Sequence, residues 1–168
     1  MNSKGTLHFF CGKMAAGKST KAKELALTHH AILLSEDEWL RQIYPEEIKI
    51  FDDYIRYSAR LKPLLKSHVQ HLLKAGLSVV MDFPGNTKGQ RAWFKEIFLE
   101  HDLPHQLHYL KASDELCLHQ LKKRSENLPE GSAFTTEEEF HAVNRYFQPP
   151  SEEEGFHIQL HTRQDAEY

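Results

Sequence analysis

No apolar run in the chain approaches the ~20 residues that a membrane-spanning helix requires, which excludes a helical membrane anchor from the sequence expectation. The opening Met1-Asn2-Ser3-Lys4-Gly5 leads straight into a strand-length apolar run, leaving no stretch with the form of a signal peptide. Cysteine is scarce. Cys11 and Cys117 are the only two, far apart and in no metal or redox spacing, so they read as reduced buried thiols of a cytoplasmic protein. Charge of one sign is also lacking. A formal net charge of −3 gives no large basic field, which argues against a general binder of duplex nucleic acid but not against a small basic channel. There is no internal repeat, and no linker is long enough to separate the chain into domains. The 168 residues are therefore expected to form one domain, 1–168, with a sizeable core. Nothing in the sequence speaks to oligomeric state.

Histidine is abundant, at twelve. The pair His157/His161 falls in a strand-like stretch, where residues four apart sit too far apart for one metal ion unless the backbone bends. His68/His71 falls on a polar helix face. A histidine-built metal site is not expected from either pair.

The chain is organised around residues 7–20. The apolar run Leu7–Cys11 enters Gly12, and Lys13, Met14, Ala15 and Ala16 pass before Gly17-Lys18-Ser19-Thr20. This is the pattern G-x-x-x-x-G-K-[ST], set between a strand and a helix-forming stretch as the pattern demands. Gly12 and Gly17 let the backbone bend so that consecutive N–H groups point at phosphate oxygens. The helix that follows adds its unpaired N-terminal N–H groups and the positive end of its dipole. Lys18 brings a point charge to the outer phosphates, and the Ser19 hydroxyl is a ligand for Mg²⁺.

Further along, Ala31–Ser35 reads as a second buried strand, and Ser35 with Glu38 forms a capping box that starts a short helix ended by Pro45. A long helical stretch over about 46–75 is expected to break or kink at Pro63 and to cap at Gly76. Leu77–Asp82 is a buried strand ending in an acid, and Thr87 with Gln90 caps a helix reaching about Glu100. Leu107–Leu110 is a fourth strand, followed by a helix from Ser113-Asp114 to about Ser125. A polar loop over 126–134, a helix over about 136–147, a linker over 148–155 and a fifth strand, Phe156–His161, complete the pattern, with the last seven residues frayed. Strands alternating with helices imply a parallel sheet with helices on both faces.

Several side chains carry candidate chemistry. Asp82 ends an apolar strand, the position of an acid that reaches Mg²⁺ near Ser19; the plainer alternative is an acid capping the next turn. Asp37 stands at the carboxyl end of the second strand, where ligands bind in open α/β sheets, and is the candidate base for an attacking hydroxyl. Glu36 and Glu38 compete for that role, and a helix start also favours acids. Arg41, one turn on, orients Asp37, meets substrate, or is an exposed helix arginine. Arg124, ahead of a lid at about 122–136, is the first choice for a cation closing over the transferring group, with Lys123 and Arg145 behind it. Arg91 is a weaker candidate for substrate or phosphate contact. Trp39, Tyr44, Tyr54 and Tyr57 line an acceptor pocket or simply pack in the core.

With these residues in view, the sequence resembles a known family. Gly12–Thr20, Leu33–Trp39, Val79–Asp82, Arg124 ahead of a polar loop, and Phe147-Gln148-Pro149-Pro150 with Glu154-Gly155-Phe156 look like the P-loop kinase-like AAA_33 group. That group is similar to polynucleotide 5′-hydroxyl kinases, zeta toxins and chloramphenicol phosphotransferases. The resemblance implies a three-layer α/β P-loop NTPase fold with a five-stranded parallel sheet of order 2-3-1-4-5 and a small lid. It implies Asp37 as the acceptor-activating aspartate and Arg124 as the lid arginine. One departure is that polynucleotide kinases carry an arginine soon after the base, where this chain has Leu40, with Arg41 one place later. The expected activity is transfer of the γ-phosphoryl of ATP, with Mg²⁺, to a hydroxyl of a small molecule or a nucleotide or nucleic-acid end. GTP remains open because no base-reading motif is legible. The alternative is a nucleotide-dependent switch or a slow NTPase without a dedicated acceptor.

Overall fold

The computed structural model describes residues 3–126 and 136–163, without the side chains of 124–126. Five strands, β1 (Leu7–Cys11), β2 (Ile32–Ser35), β3 (Val79–Asp82), β4 (His105–Ala112) and β5 (Ile158–Arg163), form one parallel sheet in the order β2-β3-β1-β4-β5. The expected order 2-3-1-4-5 holds. Helices α1 (Lys18–Thr28), α2 (Glu36–Ile43), α3 (Phe51–Lys74), α4 (Lys88–Leu99), α5 (Asp114–Glu126) and α6 (Glu137–Asn144) connect the strands. Because strand side chains alternate, each central strand feeds two cores. Leu7, Phe9, Cys11, Val79, Met81 and Leu107 pack against Leu61, Leu65, Val69 and Leu73 of α3 and Phe94, Ile97 and Phe98 of α4. Phe10, Val80 and Leu110 face Ala22 and Leu25 of α1, Cys117 and Leu121 of α5, and Phe140 of α6.

The differences from expectation have local causes. The helix expected from residue 46 starts at Phe51, because Asp53 Oδ2 accepts the Lys49 and Ile50 amides and caps it there. It then runs unbroken through Pro63 to Lys74. Gly76 does follow its end, with the Gly76 and Leu77 amides donating to the Leu73 and Leu72 carbonyls. β2 is only half-buried, with Leu34 alone fully inside, because it lies at the sheet edge. β5 is the other edge. It runs on to Arg163, so Thr162 and Arg163 are ordered strand rather than frayed tail. The polar loop expected over 126–134 and the core of the lid lie outside the described residues. Both cysteines are free and buried, and burial pushes the Cys11 thiol up to about 11. Among the described residues, no helix is long and apolar enough to cross a membrane.

Three histidines form a hydrogen-bonded row across the sheet on its α1 face. His8 Nδ1 lies 2.9 Å from His108 Nε2, and His108 Nδ1 lies 3.0 Å from His161 Nε2. His29 stacks on His8 with ring centroids 5.1 Å apart. Burial and then the neighbouring imidazoles push His8 down to about 4 and His108 to about 3. The row is therefore neutral in the folded protein at pH 7. Among the described residues no group of three or more His, Cys, Asp or Glu is arranged to hold a metal ion.

This neutrality makes the fold sensitive to acid. An unfolded histidine takes up a proton near pH 6.5, whereas His8 and His108 stay neutral in the fold until far lower pH. Their contribution is present above pH 6.5 and is lost as the pH falls through 6.5 toward 4. Urea unfolding at pH 7 and pH 5 is expected to differ by on the order of 3 kcal/mol, with nearly two protons taken up on unfolding at pH 5. Equal stabilities at the two pH values would show that the row is charged or solvated in the native state.

Candidate active site

The loop between β1 and α1 has the bend that its glycines imply. Gly17 sits at φ +99° and Ala15 at φ 62°, so two residues of the loop take left-handed conformations that turn their amides inward. At Gly12 a Cβ would come within 2.9 Å of the Leu110 carbonyl oxygen, so only glycine lets β1 leave the sheet so close to β4. The Lys13 carbonyl accepts the Ala16 amide at 3.1 Å, closing a turn inside the loop. α1 begins at once, with the Lys21 amide donating to Gly17 at 3.0 Å, and carries Lys18, Ser19 and Thr20 in its first turn. The result is an amide cradle on a helix N-terminus, a geometry suited to an anion.

Neighbouring segments hold the loop in place. Asn86 Oδ1 accepts the Gly12 amide at 2.9 Å, while its own amide donates to Gln90 Oε1 at 2.8 Å and its carbonyl accepts the Gln148 amide at 2.8 Å. Asn144 Oδ1 accepts the Met14 amide at 3.4 Å. The Lys13 ammonium is turned outward to Asp114, at 2.8 Å, and lies over the Phe147 ring. On the far side, Arg163 Nη1 stands 2.6 Å from the place a Gly17 Cβ would take. With its amide nitrogen turned to the Ala15 carbonyl, Gln120 accepts from Arg163 Nη2 at 3.3 Å. Asn86→Ala removes a loop anchor without touching Lys18 or Ser19. It is expected to weaken nucleotide binding about tenfold, the effect of losing roughly one hydrogen bond's worth of preorganisation, read by titration calorimetry. Unchanged affinity would mean that the loop holds its shape unaided.

The acids converge on the other side of the loop. The Ser19 hydroxyl donates to Asp82 Oδ2 at 2.8 Å, which brings the two expected ion-binding side chains together. Ser35 of β2 is level with Asp82 of β3, so the first turn of α2 rises beside the end of β3. Asp37 lies in that turn. Desolvation in the cleft raises its pKa, the negative Asp82 raises it further, and the charges of Arg41 and Lys18 pull it down. The carboxyl of Asp37 therefore stands within electrostatic reach of both Asp82 and the loop lysine, Lys18. Hydroxyl and carboxylate oxygens are donors that suit Mg²⁺, which is commonly held by one or two protein oxygens plus substrate phosphates. The donor set present fits a Mg²⁺-nucleotide.

Two expected residues turn out differently. Glu36, a competitor for the base role, is buried, and its carboxylate accepts hydrogen bonds from Tyr54 Oη and from Ser58 Oγ, the latter at 2.9 Å. Burial raises its pKa. Both of its oxygens are taken up by α3. Arg91, expected at substrate or phosphate, has no exposed side-chain area. Its Nε and Nη2 donate to Glu154 Oε1 and Oε2 at 2.9 and 3.2 Å, and its Nη1 donates to the Gly85 carbonyl at 2.9 Å. The helix placement that made Arg91 look exposed overlooked the Pro149–Gly155 segment that covers it. Arg41 is exposed, and its charge reaches the Asp37 carboxyl. The Arg124 side chain lies outside the described residues. Asn86, Gln120 and Arg163 were not singled out by the sequence. Only Asn86 had a signal, since it follows an acid-terminated strand at the ligand-binding edge of the sheet.

Fold and cleft together define a parallel α/β protein with a phosphate-type loop after its first strand. The chain belongs to the AAA_33 family, described as an AAA domain, whose family model matches residues 7–150. No curated protein matches the chain. Among solved structures, it is similar to a protein of Chloroflexus aurantiacus J-10-fl described provisionally as a kinase, with TM-score 0.73 and 17% identity over 95% of this chain and 89% of that one. It is also similar to Chaetomium thermophilum Kti12 in complex with ADP-AlF3, with TM-score 0.68 and 15% identity over 94% and 88% of the two chains. The Mycobacterium tuberculosis APS kinase CysC, in complex with AMPPNP and APS, aligns with TM-score 0.63 and 14% identity over 99% and 91%. At these identities the likeness is one of fold.

Proposed function

We propose that this protein is an ATP-dependent, Mg²⁺-requiring phosphotransferase that moves the γ-phosphoryl group to a hydroxyl of a small molecule or of a nucleotide or nucleic-acid end. One observation carries the proposal. Ser19 and Asp82 meet at 2.8 Å beside the amide cradle, and Asp37 lies within electrostatic reach of both Asp82 and Lys18. A cleft built only to bind a nucleotide has no need of a second carboxylate, Asp37, exposed within electrostatic reach of the phosphate loop and of Asp82. Kinase descriptions among the structural neighbours support the same reading.

When bound, Mg²⁺-ATP supplies the electrophilic phosphorus and the leaving diphosphate. The loop amides of Gly12–Thr20 and the Lys18 ammonium hold the phosphate oxygens and offset charge that grows on them during transfer. Ser19 and Asp82 would hold the ion. Asp37 accepts the acceptor hydroxyl's proton on a carboxylate oxygen and aims the attacking oxygen. Arg41 offsets part of the upward push on the Asp37 carboxyl and meets the acceptor. Arg124 is the proposed lid cation. With the acids on the β2–β3 side, the rest of the nucleotide runs toward the β4–β5 edge, where Lys111, Ser113, Thr162 and Arg163 line a hollow.

The test is a screen of hydroxyl acceptors with γ-labelled ATP: nucleosides, oligonucleotide ends, sugars, aminoglycosides and other antibiotics. The proposal expects label in one acceptor class, dependent on Mg²⁺. Label released only as inorganic phosphate with every acceptor would favour a slow NTPase or switch.

A further inference from the structure

The buried carboxylate next to the base has no place in the chemistry above, yet it is unusually well held. Glu36 is 2% exposed, although charged side chains are almost never buried without partners. Both of its oxygens are used: Tyr54 Oη donates to Oε1 and Ser58 Oγ to Oε2. Tyr54 and Ser58 are four residues apart, on one face of α3. Glu36 is the first residue of α2, and Asp37 is the second. The Ser35 hydroxyl, which caps the same end of α2, accepts the Glu38 amide at a long 3.4 Å. The strongest side-chain tie on this turn is thus the one to α3. That tie is made by the residue immediately before Asp37, whose carboxyl lies within electrostatic reach of Lys18 and Asp82.

We infer that Glu36 is a positioning residue: clasped by Tyr54 and Ser58, it locks the first turn of α2 to α3 and thereby fixes the direction of Asp37 toward the phosphate cradle. The base is then aimed before substrate arrives, so no ordering cost falls on the reacting complex. The inference rests on the proposed function for its effect on rate, but the lock itself is independent of it.

The test uses Glu36→Ala, Glu36→Gln and, as a milder change that keeps the ring packing, Tyr54→Phe. Two readouts are taken on each: amide hydrogen exchange over residues 36–41, and kcat beside nucleotide Kd. Glu36→Ala is expected to speed exchange over 36–41 at least about tenfold and to lower kcat about 10- to 100-fold, the scale of a misplaced reacting group, with nucleotide Kd unchanged within about twofold. Tyr54→Phe should move both readouts in the same direction by a smaller factor. Glu36→Gln retains an acceptor oxygen for Tyr54 and an amide for Ser58, and should recover most of the rate. A general loss of stability would instead raise exchange everywhere, β1 included, and would overturn the lock as the cause. Exchange over 36–41 unchanged in both Glu36→Ala and Tyr54→Phe overturns it too, whether or not the protein transfers phosphate. If the exchange result appears but the wild-type protein labels no acceptor, the lock stands and the phosphotransferase reading falls.

Discussion

Asp37→Asn is expected to lower phosphoryl transfer by about 100-fold or more while nucleotide affinity stays within about threefold. The substitution is nearly isosteric and leaves the first turn of α2 capped by Ser35. It removes one thing, a site for the acceptor's proton. It also removes a negative charge near Asp82 and Lys18, so nucleotide affinity should stay level or tighten slightly rather than fall. Single-turnover transfer with the acceptor found in the screen, beside titration of Mg²⁺-ATP, separates the two effects. Transfer within about threefold of wild type would remove Asp37 from the base role. Glu38 would then be the neighbouring carboxylate to test, because Glu36 is committed to Tyr54 and Ser58.

The largest effect on stability is expected at Arg91. Its guanidinium is completely buried and bonded at every nitrogen, to both oxygens of Glu154, to the Gly85 and Pro149 carbonyls and to Cys11 Sγ. Burial pushes the Glu154 carboxyl up, but the Arg91 and Ser151 hydrogen bonds outweigh it and hold the pKa below the usual value. Glu154 in turn fixes the Pro149–Gly155 crossing, accepting the Ser151 amide on its side chain at 2.9 Å and the Lys95 ammonium on its carbonyl at 2.8 Å. Arg91→Met leaves that half-buried carboxylate without its cation, and the Gly85 and Pro149 carbonyls without their donor. The expected loss is about 3–5 kcal/mol, a large part of the roughly 5–15 kcal/mol of a typical domain. Urea unfolding measures it. Adding Glu154→Gln to Arg91→Met should restore some of the loss, because the unpaired charge is gone. A cost below about 1 kcal/mol for the single change would mean that water reaches Glu154 and that the segment does not depend on the pair. The same change should loosen the seat of the loop, since Gly85 lies next to Asn86 and Cys11 next to Gly12.

The features of the molecule that were legible in the sequence are those set by local chemistry. Apolar runs of strand length marked the first four strands, and the side-chain caps at Ser35 and Thr87 sit where the sequence placed them. The loop pattern named the anion cradle, and an acid closing an apolar strand located Asp82 at Ser19. What escaped depended on partners distant in the chain. Arg91 looks like an early-helix surface arginine until Glu154, 63 residues on, covers it. Glu36 looks like one more acid at a helix start until the Tyr54–Ser58 face of α3 closes over it. His8, His108 and His161 lie in separate strands, and only the order β1-β4-β5 aligns them into a row. Local signals carry no information about which element lies beside which, and all three cases turn on that.

The claim beneath the rest is that the Gly12–Thr20 loop grips a polyphosphate through its amides and Lys18. Titration calorimetry of Mg²⁺-ATP, and of tripolyphosphate with no nucleoside attached, into wild type and Lys18→Ala addresses it directly. Wild type should bind both ligands at one site, and Lys18→Ala should weaken both by about 10- to 100-fold, the range of a lost charge-assisted hydrogen bond. Failure of wild type to bind either ligand, or equal affinity in the two proteins, would contradict the account.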